Sequence, residues 1–99
     1  MSILDGIEDK RNFPVPEGSE FILDGPDYWG DDRVIKSLDD LFEVLNLIEP
    51  ETLANHVDEN RNDFAQWVED VFGEKELAEQ LRLPPTPLRM MITIEKFLR

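Results

Sequence analysis

Cysteine is absent, which excludes a disulfide framework and a thiolate zinc site and fits a reducing compartment. Long apolar runs are absent too: no stretch approaches the ~20 consecutive apolar residues of a membrane-spanning helix. From Met1 to Arg11 the chain sets Asp5, Glu8 and Asp9 where a secretory signal needs positive charge and an apolar segment. These absences lead us to expect a cytoplasmic protein that does not enter a membrane. Bases are scarce: 10 Lys and Arg stand against 23 Asp and Glu, for a net charge of −13. The imbalance is uneven, because residues 1–79 carry 22 acids and six bases, a net of −16, whereas residues 80–99 carry one acid and four bases, a net of +3. A field of this sign repels phosphate backbones and anionic lipid, so direct binding of nucleic acid or membrane is disfavoured. It leaves a basic protein as partner, or a site on another protein that normally receives nucleic acid.

What is present suffices for one core. Of 99 residues 40% are hydrophobic, with six Phe, two Trp and one Tyr, enough apolar material for a single small domain without a metal or a covalent staple. Residues 1–20 contain Gly6, Pro14, Pro16 and Gly18 and few periodic apolar positions, and read as an extended, partly disordered arm. Phe21-Ile22-Leu23 and Arg33-Val34-Ile35-Lys36 are short apolar runs around turn residues, the pattern of a small β-hairpin with a long loop. Ser37 is placed as a helix cap with Asp39 and Asp40 in the first turn, and Leu38, Leu41, Phe42, Leu45 and Ile48 form an apolar stripe. Pro50 ends that helix or opens a short one over Glu51 to Val57, with Leu53 and Val57 on one face.

The strongest helical signal is Phe64, Trp67, Val68, Val71 and Phe72 at i, i+3, i+4, i+7 and i+8, capped by Asn62 and stopped by Gly73. Leu77, Ala78 and Leu81 mark a further short helix. Pro84-Pro85-Thr86-Pro87 is a stiff connector, and Thr86 followed by Pro87 caps a last helix, Leu88 to Leu98. The expected organisation is therefore an arm (1–20), a helical core (21–83), and a Pro-rich connector with a C-terminal amphipathic helix (84–99).

The run Asn60-Arg61-Asn62-Asp63-Phe64-Ala65-Gln66-Trp67-Val68, continuing through Val71-Phe72-Gly73 to Leu77-Ala78, resembles a family of uncharacterised prokaryotic helical domains. In that family an Asn-Asp-Phe-Ala-x-Trp motif and a Gly-x-x-x-Leu-Ala ending follow a His, matched here by His56. The resemblance takes in Phe21 to Gly25 and Ile35 to Leu38 as well, and so covers about residues 21–82. It implies an accessory domain and carries no activity, substrate or catalytic residue.

His56, Asp58, Asn60, Asn62 and Asp63 form the one polar cluster with chemical potential. A His beside a carboxylate can act as general base, but neither Ser37 nor Thr52 has a nucleophile's context, and Asn and Asp ahead of an apolar helical run are what caps look like. Asp24, Asp27, Asp31 and Asp32 around Gly25 and Gly30 lack the spacing of a calcium loop and read as turn chemistry. No catalytic, cofactor or metal residue is assigned. Tyr28 and Trp29 lie in a polar, Gly- and Pro-flanked loop, where an aromatic either folds under the domain or anchors a partner. In the last helix Arg89, Thr93 and Lys96 form one stripe, and Leu88, Met91, Ile92, Ile94, Phe97 and Leu98 supply more apolar surface than one seam uses, which suits either core or docking.

The expected fold is mainly α, a small bundle of four or five short helices with an N-terminal β-hairpin. The expected role is a non-catalytic protein-interaction or accessory domain. Its contacts would be Tyr28, Trp29, Arg89, Met91 and Lys96, made with another, basic protein or, through the C-terminal helix, with a second copy. The alternatives are an acidic nucleic-acid mimic filling a basic groove and, third, a small enzyme using His56.

Overall fold

The computed structural model describes residues 2–26 and 28–99. Three of the described α-helices begin where a short polar side chain satisfies a free N–H group of the first turn. Ser37 Oγ accepts from Asp40 N and opens α1 (Leu38–Leu47). Pro50 stands at the first position of α2 (Pro50–Ala54). Asn62 Oδ1 accepts from Ala65 N and opens α3 (Asp63–Trp67). Glu74 precedes α4 (Lys75–Arg82) without a side-chain cap, and Thr86 Oγ1 caps α5 (Pro87–Leu98), with Pro87 in its first turn.

Strands are minimal. β1 (Phe21–Ile22) pairs antiparallel with β2 (Val34–Ile35) in the register Phe21 to Ile35 and Ile22 to Val34. A second hairpin, outside the sequence-based expectation, joins β3 (Val57–Asp58) to β4 (Arg61–Asn62) across the tip Glu59-Asn60. Asp58 forms this tip by accepting from Asn60 N at 2.7 Å and Arg61 N at 3.0 Å through Oδ1, the side-chain turn chemistry that Asp favours. The helical piece expected up to Val57 therefore stops at Ala54, and Thr52 rather than Leu53 is its fully buried side chain.

The stripe from Phe64 to Phe72 is the centre of the core, but it is not one regular helix. After Trp67 the backbone widens into a π-helical turn, Val68–Phe72, closed by Gly73 in the left-handed region at φ 75°. Val71 is half-buried on this turn and Phe72 fully inside, edge-on to Trp67 at 5.2 Å between centroids. Leu38, Leu41 and Leu45 of α1, Leu77, Ala78 and Leu81 of α4, and Met90 and Ile94 of α5 close around it.

One segment differs from its expected standing. Residues 2–20 run along the domain: Leu4 is fully buried and Val15 nearly so, Val15 N bonds to Lys36 O, Asp39 N to Arg11 O, and Trp67 Nε1 donates to Ser19 O at 2.7 Å. Their apolar positions lack a period because the backbone is irregular and turn-rich, while the contacts they make are with the core. Arg11 adds an ion pair to each of two helices, with Glu95 at 2.7 Å and Asp39 at 3.2 Å, and the hydrogen bond to Glu95 first, then that to Asp39, raises its guanidinium above the ordinary arginine value. Of the two roles open to it, the last helix takes the core one, packed on α1 and α4 with Met90 and Ile94 inward. A Cα radius of gyration of 12.5 Å agrees with the ~13 Å of a compact chain of this length.

Candidate functional site

The loop between β1 and β2 is fastened at its base. Leu23 N donates to Arg33 O at 2.8 Å, Asp24 N donates to His56 Nε2 at 2.9 Å, and Asn55 Nδ2 donates to Asp24 O at 2.7 Å. Gly25 lies so close to α2 that a Cβ placed on it would stand 2.1 Å from Thr52 Oγ1, so only glycine fits the approach. Tyr28 N then turns back to Gly25 O, and Gly30, at φ 61°, starts a 3₁₀ turn, Gly30–Arg33, that returns the chain to β2. On this fixed base Tyr28 packs inward against the core, whereas Trp29, in extended backbone, is 77% exposed. Asp31 and Asp32 beside it are exposed as well. Asp27 lies outside the described residues.

His56 is the latch beneath the loop. Its ring is buried, with Phe21 edge-on at 5.0 Å and Phe64 at 5.5 Å between centroids. Because Nε2 accepts from a backbone N–H, the ring proton sits on Nδ1, which donates to Asp63 Oδ2 at 3.1 Å. The lone pair a general base would use is thus engaged by the chain itself. The rest of the predicted polar cluster divides among separate tasks: Asp58 shapes the hairpin tip, Asp63 holds His56, and Asn62 caps α3 while its Nδ2 donates to Leu81 O at 3.1 Å. Among the described residues no three His, Cys, Asp or Glu side chains are grouped so as to hold a metal ion, and no helix is long and apolar enough to cross a membrane.

The five predicted contact residues do not form one patch. Trp29 stands on the β1–β2 loop, and Arg89 and Lys96 are exposed on α5, two turns apart on one face; Tyr28 and Met91 turn toward the core. Met91 is placed so because the buried positions of α5 are Met90 and Ile94, one turn apart, and Met91 falls at the edge of that seam. Sequence reasoning missed Leu83, 82% exposed, on the connector side of α4 and followed by a cis Leu83–Pro84 bond. Leu88 is 65% exposed near it in the chain. A leucine at a helix end just before proline was the available signal, since proline stops the helix that would otherwise have buried it.

No protein-family model matches the chain, and no curated protein or solved structure matches it either.

Proposed function

We propose that this chain is a non-catalytic protein-interaction or accessory domain whose principal anchor is Trp29, with Arg89 and Lys96 on α5 as a second contact. The observation that carries the reading is Trp29 itself, a large aromatic left 77% exposed on a loop whose base is fixed by His56, Asn55 and the Gly25–Thr52 approach. An anchor held in place before binding loses little freedom on association, and Trp is the residue type most enriched at binding hot spots. The occupied ring nitrogens of His56 favour a structural over a catalytic role for it. The −13 charge favours a basic partner, and the absence of cysteine suits a reducing cytoplasm. Membership in the prokaryotic family with the Asn-Asp-Phe-Ala run is part of the same proposal, resting on the resemblance over about residues 21–82.

The test is a photo-crosslinking amino acid placed at position 29 in cells, with exposed Glu43 as the control position. A specific partner should be captured from position 29 and not from position 43. With that partner purified, Trp29→Ala should weaken binding roughly 30-fold, the effect of a ~2 kcal/mol hot spot, and leave the melt unchanged. Equal capture at both positions, or an unaltered Kd for Trp29→Ala, overturns the reading.

A further inference from the structure

The β1–β2 loop is closed by a bond that requires a neutral imidazole. His56 Nε2 accepts from Asp24 N at 2.9 Å, while Nδ1 donates to Asp63 Oδ2 at 3.1 Å. Histidine is the side chain whose ordinary change of charge falls between about pH 5 and 8, and its protonated ring has two donors and no acceptor. A proton on Nε2 would set one N–H against another. The residue is only 6% exposed and packs on Phe21 and Phe64, so little water is at hand to relieve that conflict.

The charged groups around the ring are few. Asp63 meets Nδ1 from α3, the exposed Asp24 carboxylate belongs to the loop itself, and Arg61 of β4 is committed to the Asn55 carbonyl and to Asp58. Asp63 lies off the loop, so its bond to Nδ1 survives opening, and the closed and open loops differ at Nε2 alone. Opening therefore takes up a proton, and acid favours the open loop. A second feature opposes closure: Thr52 Oγ1 is buried beneath the Gly25 backbone with no hydrogen-bond partner among the described residues. A closed loop leaves that hydroxyl unpaired, whereas an open one lets water reach it. Apart from His56, the base is tied by Asn55 Nδ2 to Asp24 O, at an exposed position, and by Leu23 N to Arg33 O at the end of the strand pair.

We propose that His56 is a pH-sensitive latch: protonation of Nε2 breaks its bond to Asp24 N, releases residues 24–32 from α2, and so frees Trp29 from its fixed position. The strand pairs Phe21 to Ile35 and Ile22 to Val34 lie outside the released segment and stay closed. The charge of Asp63 stabilises the imidazolium and sets the pH at which the latch opens; the orphaned Thr52 hydroxyl lowers the resistance to opening. Trp29 is then a pre-positioned anchor near neutral pH and a mobile one in acid, and a mobile anchor binds more weakly because its ordering is charged to the association. That consequence rests on the reading of Trp29 as the anchor, whereas the latch itself does not.

The test is NMR of the full chain labelled with ¹⁵N, taken from about pH 7.5 down to about pH 5, the range in which histidine ordinarily changes charge. The imidazole nitrogens should report a proton on Nδ1 alone at the upper end. As the imidazolium forms, protection of the Asp24 amide, corrected for intrinsic exchange, should fall at least tenfold and residues 24–32 should gain fast motion, while amides 64–72 hold. His56→Gln, whose Oε1 can accept from Asp24 N without titrating, should keep the loop closed at both ends of the range. Asp63→Asn should move the imidazole and loop transitions together to lower pH, and Thr52→Val should reduce the acid-induced loss of protection at least threefold. A loop unchanged once the imidazolium has formed overturns the proposal, as does a ring that stays neutral throughout, a His56→Gln loop that still opens in acid, or core amides that lose protection along with the loop. Every readout is made on the free chain. A loop that opens in acid beside a Trp29→Ala variant with unaltered partner Kd keeps the latch and sinks the anchor; a Trp29-dependent Kd with a loop that stays closed does the reverse.

Discussion

Asn62→Ala removes three interactions at once, and their sum can be worked out. Oδ1 accepts from Ala65 N at 3.1 Å, and Nδ2 donates to Leu81 O at 3.1 Å and reaches Met90 Sδ at 3.7 Å, all in a side chain almost closed to water. Loss of a cap costs about 0.5–2 kcal/mol. The Leu81 carbonyl, one of those at the end of α4 with no partner inside its own helix, would be left unpaired in a buried position, at about 1–3 kcal/mol. The expected total is about 2–4 kcal/mol, a large share of the ~5–15 kcal/mol that stabilises a domain. Two further variants separate the parts. Asn62→Ser can keep the cap but cannot reach Leu81 O, and should recover about 1 kcal/mol of the loss. Asn62→Asp keeps a favourable charge at the helix start yet turns a carboxylate oxygen toward a carbonyl, and should be no better than alanine. Gln66→Ala, at an exposed position, is the control and should cost less than ~1 kcal/mol. Urea unfolding with an unchanged m-value is the assay. A cost below ~1 kcal/mol for Asn62→Ala, or full recovery by serine, would show that the bridge from α3 to α4 carries no energy and refute the reasoning.

Gly25→Ala should destabilise the domain by roughly 1–3 kcal/mol, because its Cβ would stand 2.1 Å from Thr52 Oγ1 and a β-branched side chain in a buried helix cannot swing away. Thermal melting measures this, and an unshifted midpoint would mean that the loop base is soft. Cutting the chain after Leu83 removes Met90 and Ile94, both fully buried, at ~1.5–3 kcal/mol each, and uncovers the inner faces of α1 and α4. Calorimetry should find no cooperative transition, and a folded truncation would show that α5 is peripheral after all.

Much of the fold was legible because local chemistry and tertiary need agree there. Ser37, Asn62 and Thr86 cap the helices that their positions announce, Pro87 stands in the first turn of α5, and Gly73 takes the left-handed conformation that ends the central helical segment. What was illegible has its cause at a distance. Leu4 and Val15 are core residues through bonds to Phe72 and Lys36 made by their neighbourhood, without any periodic signal. Thr52 rather than Leu53 is buried because the Gly25 backbone closes over it from another segment. The two-residue strands β3 and β4 are too short to show alternation, and the π-helical turn preserves a stripe that an α-helix would also have written.

The candidate surface divides along the same line. That Tyr28 and Trp29 sit in a polar loop is visible in the sequence, but which of the two faces solvent is decided by the latch on His56, whose partner Asp24 N is 32 residues away. Net charge is visible too, while its availability is not. Arg11, Arg61 and Arg82 are each bound to carboxylates of this chain, pairings that neutralise a base and an acid together. Arg82 is the sharpest case: by sequence it is the free cation next to Leu83, yet its guanidinium is turned to Glu69 and Gln66, contacts that only the packing of α4 against the central helical segment brings about.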